Sequence, residues 1–292
     1  MEIRTVGVVG AGTIGRGVAQ DFAQHGFRVI LVDSAEEQLV KARENIRHLS
    51  RFKHMFRGGN ESSDSSTLLD SIESGTDLAL LAEADFVVEN VTENWEVKRS
   101  VHEAIDQICL PHVIFAVNTS AIPITRVASA SNRPARVLGL HFMNPVPLIR
   151  TVEVVRGHHT SDESLEVAMN VLDRLGKEGI VVGDFPGFVT NRVLMLTINE
   201  AAFCLQDQVA SAQEVDRIFK GCFGHRMGPL ETADLIGLDT ILNSIKVLYE
   251  SYRDSKFRPA PLLQRMVDAG LLGRKSGEGF YDYSTTHGTF AQ

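Results

Sequence analysis

The chain has 292 residues, 43% of them hydrophobic and 23% charged, enough for about two domains with real cores. Its formal net charge of -8 excludes a general nucleic-acid binder, which needs a basic surface. Three cysteines with no CxxC pair give no disulfide framework and no zinc site, and no apolar run approaches the roughly 20 residues of a membrane span.

Strand patterning starts by Ile3, which leaves no room ahead of it for a signal or transit peptide. The expectation is a cytoplasmic protein with no membrane, nucleic-acid or metal partner. Val6, Val8 and Val9 form a β-branched run that breaks at Gly10. A helical pattern follows through Ile14, Val18, Phe22 and Ala23, and a second apolar run from Phe27 to Val32 ends in Asp33.

The turn between them is Gly10, Ala11, Gly12, Thr13, Ile14, Gly15. In a dinucleotide fingerprint Gly10 permits the tight turn, Gly12 lets backbone approach a pyrophosphate, and Gly15 lets helix and strand pack closely. The helix start then presents free N–H groups and a positive dipole end to the phosphates. A lone GxGxxG is weak, but this one sits between a strand and a helix, with an acid closing the next strand. Asp33 can accept hydrogen bonds from ribose hydroxyls and would repel the extra phosphate of NADP, so NAD is the expected cofactor.

Ala35 to about Phe56 forms one long helical pattern with Leu39, Ala42, Ile46 and Leu49 on one face. Its far end is basic, at Arg47, Arg51, Lys53 and Arg57. That cluster is either a solvated face or a landing site for a phosphate-bearing substrate arm. Gly58 to Ser66 is a polar loop, expected to be mobile.

Strand and helix then alternate. A strand begins at Phe86, a helix spans Trp95 to Ile108, VIFAVNTS supplies a strand ending at Asn118 to Ser120, and RVLGLHF supplies another ending at His141. The alternation predicts a parallel, doubly wound α/β sheet of Rossmann type. Ligands of such sheets bind beyond the carboxyl ends of the strands. Glu93, Ser120, His141 and Asn144 all fall just past predicted strand ends and should converge on one crevice.

His141 opens HFMNPVPLIRTVEVV, a stretch in which Glu153 and Arg150 are the only other titratable side chains. A histidine and a carboxylate in so apolar a segment are either a satisfied structural hydrogen bond or an acid/base couple. Beyond it lie a helix from Ser161 to Leu175, N-capped by Ser161 or Thr160, and a last strand from Gly179 to Asp184.

Pro186 opens a different regime: a Pro-Gly start, a strongly apolar helix to about Gln206, and helical patterns over Ser211 to Cys222 and Leu235 to Tyr252. The predicted organisation is a nucleotide-binding domain over 1–185 and an all-helical domain over 186–292. An apolar helix of this kind is buried between subunits, predicting a homodimer, or is the core of its own domain.

GAGTIG, VVENVTEN, NTS, HFMNPVP, VEVV, PGFVTNR, MGPLETADLIGLD and GRKSGEGFYDY follow one another along nearly the whole chain. In that order they resemble the L-3-hydroxyacyl-CoA dehydrogenase family. The resemblance implies a Rossmann-like domain, a helical dimerisation domain, and NAD-dependent interconversion of 3-hydroxyacyl and 3-oxoacyl thioesters. It carries the family's histidine and glutamate onto His141 and Glu153, its NTS serine onto Ser120, and its PGFxxNR asparagine onto Asn191. Glu93, Lys98, Asn144, Lys275 and Ser120 match further cofactor contacts.

The chemistry agrees with that assignment. Oxidising a secondary alcohol removes a hydride from carbon, which needs a well-placed cofactor, and a proton from oxygen, which needs a base; histidine is the natural one. His141 Nε2 would take the proton while Glu153 accepts a hydrogen bond from Nδ1–H, and Ser120 and Asn191 would hydrogen-bond the substrate oxygen.

Relatives place a serine and a lysine for CoA on the helix after the second strand. The matching candidates here are Ser50, Lys53 and Arg57, in uncertain register. VTENWEVK and NTSAIPIT also resemble a subgroup of polyketide extender-unit pathways (hydroxymalonyl- and methoxymalonyl-type), whose members oxidise a hydroxyacyl group held on an acyl carrier protein. That likeness implies a carrier protein as the alternative to CoA, with the Arg47 to Arg57 cluster as its dock. Two other classes remain open: a dehydrogenase of a free sugar or polyol acid on the same scaffold, and a non-catalytic, crystallin-like NAD-binding protein.

Overall fold

Among the described residues, eight short strands, several of them rich in valine and isoleucine, build one sheet. They are β1 (Thr5–Val9), β2 (Arg28–Val32), β3 (Ile72–Gly75), β4 (Phe86–Glu89), β5 (Ile114–Val117), β6 (Val137–His141), β7 (Thr151–Arg156) and β8 (Glu178–Gly183). The structure is a computed structural model that describes residues 2–57 and 65–284, the side chains at 49–57 and 65–67 excepted.

The sheet order is β3-β2-β1-β4-β5-β6-β7-β8. Order reverses between β1 and β4, which opens the crevice where doubly wound sheets bind ligands. The helices of this part are α1 (Thr13–Gln24), α2 (Glu36–Arg57), α3 (Ser65–Asp70), α4 (Trp95–Ile108), α5 (Ile124–Ala128) and α6 (Asp162–Arg174). Val8, Phe22, Phe27, Leu31, Phe86 and Leu138 meet in one buried core. Ser161 is the N-cap of α6, accepting from the Ser164 N–H at 3.1 Å.

The sheet departs from an all-parallel one at a single pairing: β6 and β7 run antiparallel. The link 142–150 is shorter than the dozen or more residues that a parallel crossover needs, so the chain doubles back. The reversal has a chemical consequence, because its register sets His141 opposite Glu153.

The chain divides into two compact units, Met1–Phe185 and Pro186–Gln292. The second is helical: α7 (Thr190–Gln206), α8 (Ala212–Phe223), α9 (Pro229–Ile236), α10 (Leu238–Tyr252) and α11 (Pro261–Asp268). α7 starts at Thr190, after the Pro-Gly start, since Gly187 (φ 80°) and Phe188 (φ 47°) hold left-handed backbone that no helix continues. The pattern from Leu235 to Tyr252 is likewise two helices, split at Gly237 (φ 104°). One face of α7, with Met195, Ile198 and Ala202, packs on Ile241 and Ile245 of α10. Among the described residues no helix is long and apolar enough to cross a membrane.

Candidate active site

The glycine turn shows why each small residue stands where it does. Gly10 has φ 93°, and its N–H donates to the Val32 carbonyl at 2.7 Å. A Cβ at Gly15 would lie 1.8 Å from the Gly10 carbonyl oxygen. A Cβ at Gly12 would meet nothing within 4 Å, so the space above the turn is open. Gly12 is also the N-cap of α1 and brings no side chain to the first N–H groups of the helix. Uncapped donors facing open space fit a pyrophosphate.

Beside the turn is a cavity of about 540 Å³ lined by Gly10, Gly12, Asp33, Ser34, Asn90 and Val91, with Val32, Leu78, Val97 and Val101 as apolar walls. Asp33 accepts from the Ala11 N–H at 2.7 Å and the Ala35 N–H at 2.9 Å. Those bonds fix the carboxylate, and each oxygen keeps a lone pair for a ribose hydroxyl. The residues present fit NAD. No basic side chain is among those lining the cavity.

The strand ends bring a second group together. His141 Nδ1 lies 2.8 Å from Glu153 Oε2, and both side chains are buried. A carboxylate only accepts, so Nδ1 carries the hydrogen, and in the neutral ring Nε2 is then the nitrogen with the lone pair. Nε2 lies 3.0 Å from the Ser120 hydroxyl. Serine, imidazole and carboxylate thus form one line.

The loop carrying Ser120 is held from several sides. Glu93 Oε1 accepts from the Thr119 hydroxyl at 2.5 Å and from the N–H groups of Ala121 and Ile122 at 3.0 and 3.2 Å. The Phe142 N–H donates to Asn118 Oδ1 at 3.1 Å, joining the ends of β5 and β6. Asn144 is exposed and precedes a cis bond to Pro145. Behind it, Val146 packs against Gly17 of α1, where a Cβ would come within 3.1 Å. Lys177 donates to the carbonyls of Val146 and Ile149 at 2.7 and 2.8 Å and pairs with buried Asp21 at 3.0 Å. Sequence reasoning missed Lys177 and Asp21; isolated charges in unrelated segments carry no signal of their meeting.

Lys98, which the resemblance matches to a cofactor contact, is fully buried, its ammonium 2.8 Å from Glu89 and 3.0 Å from the Asn118 carbonyl. Asn191 stands in the first turn of α7 and Lys275, paired with Asp239, in a short helical turn; both belong to the second unit. The side chains of Ser50, Lys53 and Arg57, and the polar segment 58–64, lie outside the described residues.

The doubly wound sheet and the glycine turn with its acid form a dinucleotide-binding domain, and the buried histidine–carboxylate pair at its strand ends has the chemistry an NAD-dependent dehydrogenase needs. Comparison with known proteins narrows the class. Residues 5–185 match the family described as 3-hydroxyacyl-CoA dehydrogenase, NAD binding domain, and residues 187–283 match its C-terminal domain. A probable 3-hydroxybutyryl-CoA dehydrogenase of Deinococcus radiodurans is 47% identical over 277 residues, 95% of this chain and 99% of that one. The 3-hydroxybutyryl-CoA dehydrogenase of Bradyrhizobium diazoefficiens is 42% identical over 282 residues, 96% of each chain. The crystal structure of (S)-3-hydroxybutyryl-CoA dehydrogenase from Ralstonia eutropha superposes with a TM-score of 0.91 at 41% identity, covering 97% of this chain and 99% of that one. The chain belongs to the 3-hydroxyacyl-CoA dehydrogenase family, and its cofactor is NAD.

Proposed function

We propose that the protein interconverts a short 3-hydroxyacyl-CoA and its 3-oxoacyl-CoA, with His141 as the acid/base group. The observation that carries this is the line from half-buried Ser120 Oγ, after β5, through Nε2 and Nδ1 of buried His141, at the end of β6, to buried Glu153 on β7. NAD, when bound, supplies the hydride acceptor for the hydroxyl-bearing carbon. His141 Nε2 accepts the hydroxyl proton as the carbon–oxygen double bond forms, and returns it in the reverse direction. Glu153 holds the ring in the useful tautomer and stabilises the imidazolium that results. Ser120, already at hydrogen-bond distance from Nε2, places the substrate oxygen there and stabilises its developing charge.

Other assignments rest on the motif matches: Asn191 as a second donor to that oxygen, Glu93, Asn144 and Lys275 as cofactor contacts, and Ser50, Lys53 and Arg57 on the CoA arm. CoA is proposed as the carrier because the relatives are named for CoA thioesters. A homodimer through the second unit belongs to the same reading. Its support is a set of exposed apolar side chains, Val193, Val209, Ile218 and Phe223, at 53 to 73% exposure. Analytical ultracentrifugation should give the mass of two chains, and a monomer would remove that part.

The test of function compares the same acyl group as a CoA thioester, on an acyl carrier protein and as the free acid, following nicotinamide absorbance. The highest kcat/KM is expected with CoA. A carrier-protein or free-acid preference would reassign the substrate, and NAD binding without turnover of any of them would leave only a binding protein.

A further inference from the structure

β4 and β5 separate β1 from β6 in the sheet, yet the loop that leaves His141 at the end of β6 reaches the helix that follows β1. Two contacts make that bridge. Val146 packs against Gly17 of α1, where an added Cβ would lie 3.1 Å from the Val146 Cβ. Lys177, at the foot of β8, sends its ammonium to the Val146 and Ile149 carbonyls at 2.7 and 2.8 Å and to Asp21 of α1 at 3.0 Å. Both charged side chains are buried. The Lys177 N–H donates to the Leu172 carbonyl of α6 at 2.9 Å, so the side chain starts from a fixed point.

Packing alone does not place this loop. Of residues 143–150 only Val146 is buried, while Leu148 and Ile149 are 65 and 36% exposed. The N–H groups of Leu148 and Ile149 both donate to the Pro145 carbonyl, at 3.0 and 3.2 Å, and close a turn. The carbonyls of Val146 and Ile149 then meet one ammonium. Stability does not explain the choice of charges either. Well-packed apolar residues in place of a buried ion pair are often neutral, or stabilising by about 1–4 kcal/mol. An ammonium adds direction: its three donors tie two carbonyls of the loop to a carboxylate of the helix.

The two ends of that tie have different tasks. α1 carries at its head the uncapped N–H groups that fit a pyrophosphate, and Asp21 lies about two turns further along the same helix. His141 stands where the loop begins, paired with Glu153 and beside Ser120. The clamp joins the element that anchors the cofactor to the element that carries the acid/base group.

We propose that Lys177 is a positioning residue for the reaction: with Asp21 it holds the loop after His141 against α1, and so sets the histidine relative to a nicotinamide anchored at the head of that helix. The proposal rests on the dehydrogenase reading above. The glycine turn and Asp33 do not involve Lys177, and neither do the hydrogen bonds of His141. Each half of the site therefore survives its loss, and their relative placement does not. A misplacement of about 1 Å at a reacting centre lowers rate on the order of 10²-fold. Asn144 stands on the same loop, so a small loss of NADH affinity accompanies the effect.

Lys177→Met alone strands a buried Asp21 carboxylate, so the working variant is Asp21→Asn/Lys177→Met, which removes both charges. Asp21→Asn is the milder second variant: it leaves the ammonium on both carbonyls and weakens only the tie to α1. The full chain is loaded with NADH, with Kd read by calorimetry, and mixed with saturating acetoacetyl-CoA in a single turnover that gives hydride transfer per bound NADH. Counting per bound NADH removes unfolded chains from the rate, so an ion pair that only stabilised the fold would leave it unchanged however far Tm falls. Wild-type turnover of acetoacetyl-CoA reads the dehydrogenase assignment by itself, and the variant-to-wild-type ratio reads the positioning role. The expected result is transfer slower by about 10- to 100-fold in the double variant and about 3- to 10-fold in Asp21→Asn, with Kd for NADH raised less than about threefold. A rate per bound NADH unchanged from wild type makes the pair mere filling and overturns the proposal. So does a Kd that rises as much as the rate falls, which would make the clamp part of the cofactor site alone.

Discussion

Replacing Glu153 by glutamine keeps the shape of the side chain and removes its charge, and so isolates what the carboxylate does for His141. Nδ1 and Oε2 are 2.8 Å apart in a buried pair. A hydrogen bond to a charged partner contributes about 1.5–3 kcal/mol, roughly twice a neutral one. Here that contribution is gained as the imidazolium forms, and each 1.36 kcal/mol of barrier is tenfold in rate. The account therefore predicts a loss of about 10- to 150-fold in kcat for Glu153→Gln. Glu153 sits on β7, away from the glycine turn on β1 and α1, so Kd for NAD should change by less than about twofold. The assay is steady-state oxidation of 3-hydroxybutyryl-CoA with NAD saturating, beside a calorimetric titration of NAD. A kcat within twofold of wild type would show that the carboxylate is only a structural partner, and the base assignment would lose its support.

His141→Ala should lower kcat by about 10²- to 10⁴-fold while leaving NAD binding in place, measured with the same pair of assays. Gly15→Ala would drive a methyl group to 1.8 Å from the Gly10 carbonyl oxygen, so NADH binding should vanish at millimolar cofactor; retained affinity would contradict the packed turn. Burial pushes the Cys109 thiol up to about 11, whereas Cys222 is exposed. A thiol reagent at mild alkaline pH should therefore label Cys222 first and Cys109 only after denaturation, as peptide mapping would show.

Much of the site was legible in the chain because it is local. Gly10, Gly12, Gly15 and Asp33 fall within one strand–turn–helix–strand unit whose geometry is set by backbone sterics and period. The histidine and glutamate could be singled out as charges in apolar company. Their meeting, however, depends on β7 reversing direction, which places the two residues opposite each other; the strand alternation upstream pointed to a parallel sheet. Gly237 was hidden in a continuous helical pattern, because a break there needs only positive φ and leaves the apolar spacing intact. Lys98 shows the limit most clearly. Its position near Glu93 in a motif gives no sign of burial, and only the third dimension, in which Glu89 and Asn118 close around it, shows it to be interior. The Asp21–Lys177 pair, which clamps the loop after His141, joins parts of the chain with no periodic relation at all.

The most direct measurement is a crystal structure of the full chain with NADH and acetoacetyl-CoA. The account predicts the 3-oxo oxygen about 2.6–3.2 Å from both His141 Nε2 and Ser120 Oγ, with the nicotinamide against the same carbon. An oxygen seated elsewhere, or a nicotinamide on the far side of the crevice from His141, would contradict it.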